Sequence, residues 1–499
     1  MRNHLISLIL FIPLLGILGQ TLVNRQRGRW IALFASLTAS LASIGLVLLL
    51  SSSGSEGEIS EAFQWIGSYA ITYDMSVDGL NAILVLLIAI LFPVLIASEW
   101  NQKLGVQGMH SLFLALQTSL FGIVCAQDLF LQFFFWGLSA LPFYFLVGIW
   151  GGENREKAAF SSIVSSTLGN ALIFSAGIII YYSVDPHTFS LRELAKMHLI
   201  EKQISVLGYG MSVSSVAAVL MSLGLSLRAP VWPLHGWFTD VARESPLSVF
   251  VALSAGVMPV ALYVFARTFY LLFPETLAHS ASWIVMIGGL NLIIGGICAV
   301  SQKDLRRLMA FICISELGLT LMGIGSLSSA GVVGSIYHHL MLGLALAGFG
   351  LFTNVISERI GHTEFEENSN VNSLGGIVEQ APVISVVAAI VVASLLGFPG
   401  FGGFVGHTLM MIGSYSFSPV TVMLTVVALL LAAYYLFSMY RRIFLGKSDS
   451  NSSQFQDLTL REKLYMSPLV GALLLFGLYP KPLIDLIRPT VLKMLIGIK

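Results

Sequence analysis

"SLLGFPGFGGFVGH", residues 394–407, interrupts a long apolar run with Gly397, Pro399, Gly400, Gly402 and Gly403, then sets His407 directly after Gly406. Proline lacks an amide donor and glycine is a poor helix former, so a regular helix cannot continue through this stretch. A second stretch, "SLRAPVWPLHGWFTD" at 226–240, has the same character. Pro230 and Pro233 lie three residues apart there, with Arg228 just before them and His235 just after. What these breaks mean depends on what surrounds them.

The surroundings are lipid-like. The 499 residues are 56% hydrophobic and 10% charged, with a formal net charge of zero, which is too apolar for a soluble chain of this length. A spanning helix needs about 20 mainly apolar residues. Segments near 4–22, 30–50, 79–97, 109–126, 128–149, 158–183, 205–227, 247–272, 282–300, 308–326, 331–355, 379–412, 418–439 and 464–479 meet that need, fourteen in all. The sequence therefore predicts an all-α polytopic membrane protein embedded in the lipid bilayer. The first segment is long and is followed by no small-residue cleavage site, so it is expected to stay as the first helix. Cys125, Cys298 and Cys313 fall inside apolar spans at no metal-ligand spacing, so neither a disulfide nor a metal site is expected.

Short cytoplasmic loops carry an excess of Lys and Arg. With the N-terminus outside, the inside loops hold Arg25, Arg27 and Arg29, then Lys103, Arg155 and Lys157, Lys303, Arg306 and Arg307, Arg359, and finally Arg441, Arg442 and Lys447. Both termini are then expected on the outer, periplasmic side of a bacterial inner membrane. One loop is an exception: 184–204 carries Arg192, Lys196 and Lys202, interleaved with Glu193 and Glu201, and reads as a short surface helix.

Irregular backbone at membrane depth is tolerated only where protein buries it or a water-filled cavity adjoins it. Broken helices at corresponding places in two halves of a chain point to inverted repeats with a transport site near the breaks. Here the breaks fall in the seventh and twelfth spans, five apart, as two five-helix repeats require. The expected organisation is residues 1–105 for helices 1–3, 106–275 for the first repeat (helices 4–8), 276–445 for the second (helices 9–13), and 446–499 for helix 14 and a tail.

Several long stretches resemble one family. "SVDGLNAILVLL" (76–87), "FFWGLSALPFYFLVGIWGG" (134–152), "RAPVWPLHGWFTD" (228–240), "QKDLRRLMAFICISELG" (302–318) and "GFPGFGGFVG" (397–406) are similar to the antiporter-like, proton-conducting subunits of respiratory complex I and Mrp-type antiporters. The resemblance runs nearly end to end and is closest to the M-chain (chain 4) branch of complex I, the NADH:quinone oxidoreductase. It implies a hydrated chain of ionisable residues at mid-membrane: a glutamate on the fifth helix paired with a lysine at the seventh-helix break, a lysine on the eighth, and a lysine or glutamate at the twelfth-helix break. It also implies a membrane subunit whose partners are other membrane subunits of a complex I-like assembly.

Measured against that pattern, the charge carriers are rewired. The fifth-helix glutamate position is Gly137, the seventh-helix lysine position is Arg228, the eighth-helix lysine position is Pro259, and the twelfth-helix position is His407. In the tenth helix, where relatives read Ser-His, this chain reads Ser315-Glu316. Arginine stays protonated at any accessible pH and cannot hand on a proton, whereas histidine, with an ordinary pKa of about 6.5, can. Buried Glu316 needs a partner, and His338 or His339 on the eleventh helix is the expected one. His407 is read either as a proton carrier or as a neutral ring bonded to a carbonyl freed by the break. Asp78 is expected to cap the third helix, and Asp240 and Glu244 to make loop hydrogen bonds.

The candidate proton path is therefore Arg228, His235, Glu316, His338, His339 and His407. No nucleotide-binding loop, dinucleotide glycine fingerprint, metal-spaced Cys/His cluster or nucleophile elbow is visible, so no cofactor is expected in this chain and no nucleic-acid partner. Two functions fit these residues: a proton-translocating subunit serving electron transfer in partner subunits, or a non-pumping scaffold of a complex I-related or Mrp-like membrane assembly.

Overall fold

The computed structural model describes residues 4–52, 57–102, 105–197, 199, 201–206, 209–360, 375–445 and 455–498. Lys103 and Lys447, assigned above to inside loops, lie outside the described residues. Helices dominate. Two helices, α1 (Leu5–Thr21) and α2 (Arg25–Ser52), precede a hairpin of β1 (Ile59–Ile66) and β2 (Ile71–Val77). Next come α3 (Ala82–Ser98), α4 (Val106–Cys125), α5 (Leu129–Trp150) and α6 (Arg155–Ser183), then a second hairpin of β3 (Gln203–Val206) and β4 (Tyr209–Ser212).

The seventh span is split into α7 (Val213–Arg228) and α8 (Gly236–Glu244). Four long helices follow: α9 (Leu247–Leu272), α10 (Pro274–Val300), α11 (Leu305–Gly325) and α12 (Ser329–Ile360). The twelfth span is split into α13 (Pro382–Leu395) and α14 (Gly402–Phe417), and α15 (Pro419–Phe444), α16 (Leu460–Leu478) and α17 (Lys481–Ile496) complete the chain. Nine of these helices are individually long and apolar enough to cross a membrane. The shorter apolar α1 and α3, the two split spans and α16 bring the crossings to the fourteen expected.

Both breaks fall where proline and glycine dictate, with small adjustments. The twelfth-span break covers 396–401 rather than 397–403: Gly402 and Gly403 are the first residues of α14. The seventh-span break extends over 229–235. Its released backbone groups find partners from neighbouring helices, as burial requires. Asn291 of α10 accepts from the Trp232 amide at 2.7 Å, and Ser165 of α6 donates to the Leu227 carbonyl at 3.0 Å.

Close helix contacts follow glycines. Gly169 of α6 faces Gly224 of α7 so closely that a Cβ on either would meet the other's carbonyl, and a Cβ on Gly413 of α14 would collide with the backbone nitrogen and Cα of Gly331 of α12. Small residues let membrane helices approach without a hydrophobic driving force. The same device thus joins the sixth span to the seventh and the eleventh to the twelfth. Helices α9, α11 and α12 are almost wholly buried and form the centre, whereas α2, α5, α6, α10 and α15 bury less than half of their apolar windows and face lipid.

One sequence expectation is corrected. The seventh span is expected to begin near 205, but Gln203–Val206 pair with Tyr209–Ser212 as the β3–β4 hairpin, because β-branched Ile204 and Val206 and the flexible Gly210 suit a strand pair better than a helix. In the loop 184–204 the short helix expected there is the four-residue turn Leu191–Leu194. From that turn Arg192 pairs with Glu58 at 2.6 Å and Asp74 at 3.4 Å on the first hairpin. Local neutralisation accounts for Arg192 on the side where basic residues are otherwise scarce. Burial pushes the Asp74 carboxyl above its usual range, and Arg192 opposes that shift. The tail after helix 14 is helical: α17 turns 73° from α16 and buries Leu483, Ile487, Val491 and Met494 along one face.

Candidate functional site

The break in the twelfth span builds a cluster around one carboxylate. Gly397 and Gly400 adopt positive φ, 66° and 91°, conformations that cost a side-chain-bearing residue dearly. They turn the chain so that α14 starts anew and presents His407 inward in its second turn. There Nε2 of His407 lies 3.0 Å from Oε2 of Glu316, midway along α11. Nε2 of His338 from α12 lies 3.0 Å from the same oxygen. All three side chains are buried, and the imidazole centroids are 4.8 Å apart.

Glycines make room for both rings. A Cβ at Gly406 would stand 2.8 Å from His338 Nδ1, and one at Gly397 would collide with His407 Nδ1. The Nδ1 atoms of both rings are buried without a hydrogen-bond partner among the described residues. The alternative in which a freed carbonyl holds His407 is therefore not realised; the ring turns to Glu316. His339 does not join either, since neither of its ring nitrogens takes part in the Glu316 hydrogen bonds. Of the two partners proposed for Glu316, the structure selects His338, because residues one apart on a helix point about 100° apart.

Gln302, Tyr434, Tyr435, Ser438 and Arg442 line a cavity of 50 Å³, room for more than one water. Tyr435, a buried member of that lining, is within electrostatic reach of Glu316.

The break in the seventh span is arranged differently. Arg228 ends α7, donates from Nη2 to the Trp136 carbonyl at 2.7 Å, and lies 4.7 Å from the centre of the Trp136 ring. A carbonyl and an aromatic face thus stand where a carboxylate would be expected. Gly137 is half-buried, and a Cβ there would meet Asn170 Nδ2 at 3.3 Å. His235 sits at the downstream edge of the break with its ring 6.5 Å from that of Phe311, on the same helix as Glu316 and roughly 7 Å along it from that residue. Pro259 follows a six-residue π-helical segment, Ala252–Val257. A proline cannot donate to the preceding turn, and the widened turn absorbs that defect. Glu244 makes the expected loop contact, accepting from the Asn154 amide at 2.9 Å, while Asp240 is exposed.

One polar network was not foreseen. Asp78 does not occupy the N-cap of α3, which is Asn81; one oxygen accepts from the Leu80 amide at 2.9 Å and the Asn81 amide at 3.2 Å in the turn before the helix, and the other pairs with Arg267 of α9. Arg267 also donates to Gln127 at 3.2 Å, and Asn81 bonds the carbonyls of Ser76 and Val124 at 2.8 and 3.1 Å. The available signal was an arginine in an apolar span, which must find an acceptor.

With the geometry in place, comparison with known proteins fixes the class. Residues 126–432 match the family model described as NADH:quinone oxidoreductase/Mrp antiporter, transmembrane. The chain is 27% identical to NADH-quinone oxidoreductase subunit M of Rhodobacter capsulatus over 500 residues, covering 98% of this chain and 96% of that one. It superposes with a TM-score of 0.87 on a chain of respiratory complex I from Thermus thermophilus, at 22% identity and full coverage of both. A chain of the Mrp complex from a Dietzia species gives 0.84 at 18% identity, covering 99% of this chain and 97% of that one. The chain belongs to the NADH:quinone oxidoreductase/Mrp antiporter transmembrane family, which bears out the resemblance to its M-chain branch.

Proposed function

We propose that this chain is the antiporter-like membrane subunit of a complex I-type NADH:quinone oxidoreductase and passes protons through its second half, along Tyr435, Glu316 and the rings of His338 and His407. The observation that carries this reading is the Glu316 oxygen shared by two imidazoles from two other helices, one of them placed by the broken span. A carboxylate held between two rings lets a proton move by exchanging hydrogen bonds, without displacing either helix. Electron transfer belongs to partner subunits, and this chain is taken to hold no redox cofactor. The inner membrane of a bacterium, with both termini on the outer side, is the location that the basic loops favour.

The first half supports a second reading for itself. Arg228 engages a carbonyl and a ring rather than a carboxylate, and Gly137 and Pro259 carry no charge, so the first repeat serves as scaffold while the second conducts. Proton flux of the parent complex in sealed vesicles with Glu316→Gln tests the proposal. Loss of pumping with assembly and quinone reduction retained is expected; unchanged pumping transfers the whole chain to the scaffold reading.

A further inference from the structure

The donor atoms of the Glu316 cluster also match the requirements of a transition-metal ion. Two imidazole nitrogens and one carboxylate oxygen come from three helices, and all three atoms lie within 4.8 Å of one another. Both nitrogen-to-oxygen separations are 3.0 Å. Ligands bound about 2.0–2.1 Å from a Zn²⁺-like ion, at angles between 90° and 109°, stand about 2.9–3.4 Å apart, so those two donor pairs fit with little movement. The donors are buried on helices whose approach is fixed by Gly406, Gly331 and Gly413.

We infer that Glu316, His338 and His407 form a site for a borderline dication of the Zn²⁺ class, and that its occupancy blocks the chain by taking the lone pairs through which protons would pass. Two imidazoles and one carboxylate select Zn²⁺, Co²⁺ or Ni²⁺ over Mg²⁺ and Ca²⁺, which want oxygen ligands in greater number. The occupant is a reversible regulator rather than a resident cofactor. Metal-bound imidazoles normally donate their second N–H to an acceptor, and loss of such partners typically weakens binding 10- to 100-fold. Here neither Nδ1 has one among the described residues. A single carboxylate also leaves a bound dication incompletely neutralised at membrane depth.

The binding half of this inference stands on geometry alone, and only the blocking half rests on the proposed proton path. Co²⁺ titrated into the tag-free full chain in detergent tests binding through its visible d–d absorption. One ion per chain is expected, displaced by equimolar Zn²⁺ and not by a hundredfold excess of Mg²⁺. Affinity is expected to fall at least tenfold in His407→Gln and in Glu316→Gln, each shown to be folded by size exclusion, and to be unaltered in His279→Gln, which changes an exposed ring. No band in the wild-type chain, or a band that survives in both site variants, overturns the site. Zn²⁺ added to vesicles of the parent complex tests the block. Pumping that falls with occupancy supports it, and pumping that persists at full occupancy overturns the block while leaving the site in place.

Discussion

The Arg228 guanidinium donates to the Trp136 carbonyl at 2.7 Å, one residue before Gly137, the position where a carboxylate partner would stand. Arginine remains charged under all accessible conditions. Gly137→Glu should therefore give a permanently ionised pair and no added conduction, whereas Gly137→Glu combined with Arg228→Lys restores a pair able to exchange a proton. Flux through the first repeat is best read in a Glu316→Gln background, where the second is silent. A gain from the single change would show that Arg228 is not the obstacle.

The buried pair of Asp78 and Arg267 ties the entrance of α3 to the middle of the bundle. Removing one partner strands a charge, so Arg267→Met should destabilise the chain by about 3–5 kcal/mol. Adding Asp78→Asn keeps an oxygen for the Leu80 and Asn81 amides while removing the stranded charge. The double variant is expected to recover most of the loss. Folded yield after graded heating in detergent, followed by size exclusion, measures it, and a double variant less stable than Arg267→Met alone contradicts the account.

Gly403 begins α14 against the Ser394 carbonyl, and a Cβ there would collide with that backbone oxygen. Gly403→Ala should cost about 3 kcal/mol or more, since backbone cannot move aside as a side chain can. Gly471, in the exposed flank of α16 with nothing near its Cβ position, is the control: Gly471→Ala should be neutral or slightly stabilising, because alanine is the better helix former. Equal effects at both positions would mean that the break is not a packing constraint.

How much of this was legible from sequence differs by element. The fourteen spans and both breaks could be read because lipid imposes length and apolarity on each helix separately, and proline and glycine act locally. The β3–β4 hairpin was misread since a short apolar run fits a span end as well as a strand, and only its partner decides. At the site, Glu316, His338 and His407 could each be named from cost and chemistry. Their shared oxygen could not, because it depends on the relative rotation of three helices separated by up to 91 residues. His339 was an equal candidate in sequence; the helical angle between neighbours, fixed by packing at Gly406, separates the two.

That separation yields the sharpest test of the proposed path. His338 and His407 each hold Glu316 at 3.0 Å, whereas His339 does not bond to it. Glutamine retains a donor and an acceptor but cannot carry a proton, so His338→Gln and His407→Gln should each reduce coupled pumping by about a hundredfold or more. His339→Gln should leave pumping within twofold of wild type. Quinone reduction by the parent complex should continue in all three, uncoupled from pumping in the first two. A scaffold role predicts instead that all three glutamine variants pump normally, and that only a bulky apolar side chain at 407, forced against Gly397, harms assembly. Pumping lost equally in the His339 variant would show that burial of any imidazole in this helix matters, and not the hydrogen bonds to Glu316.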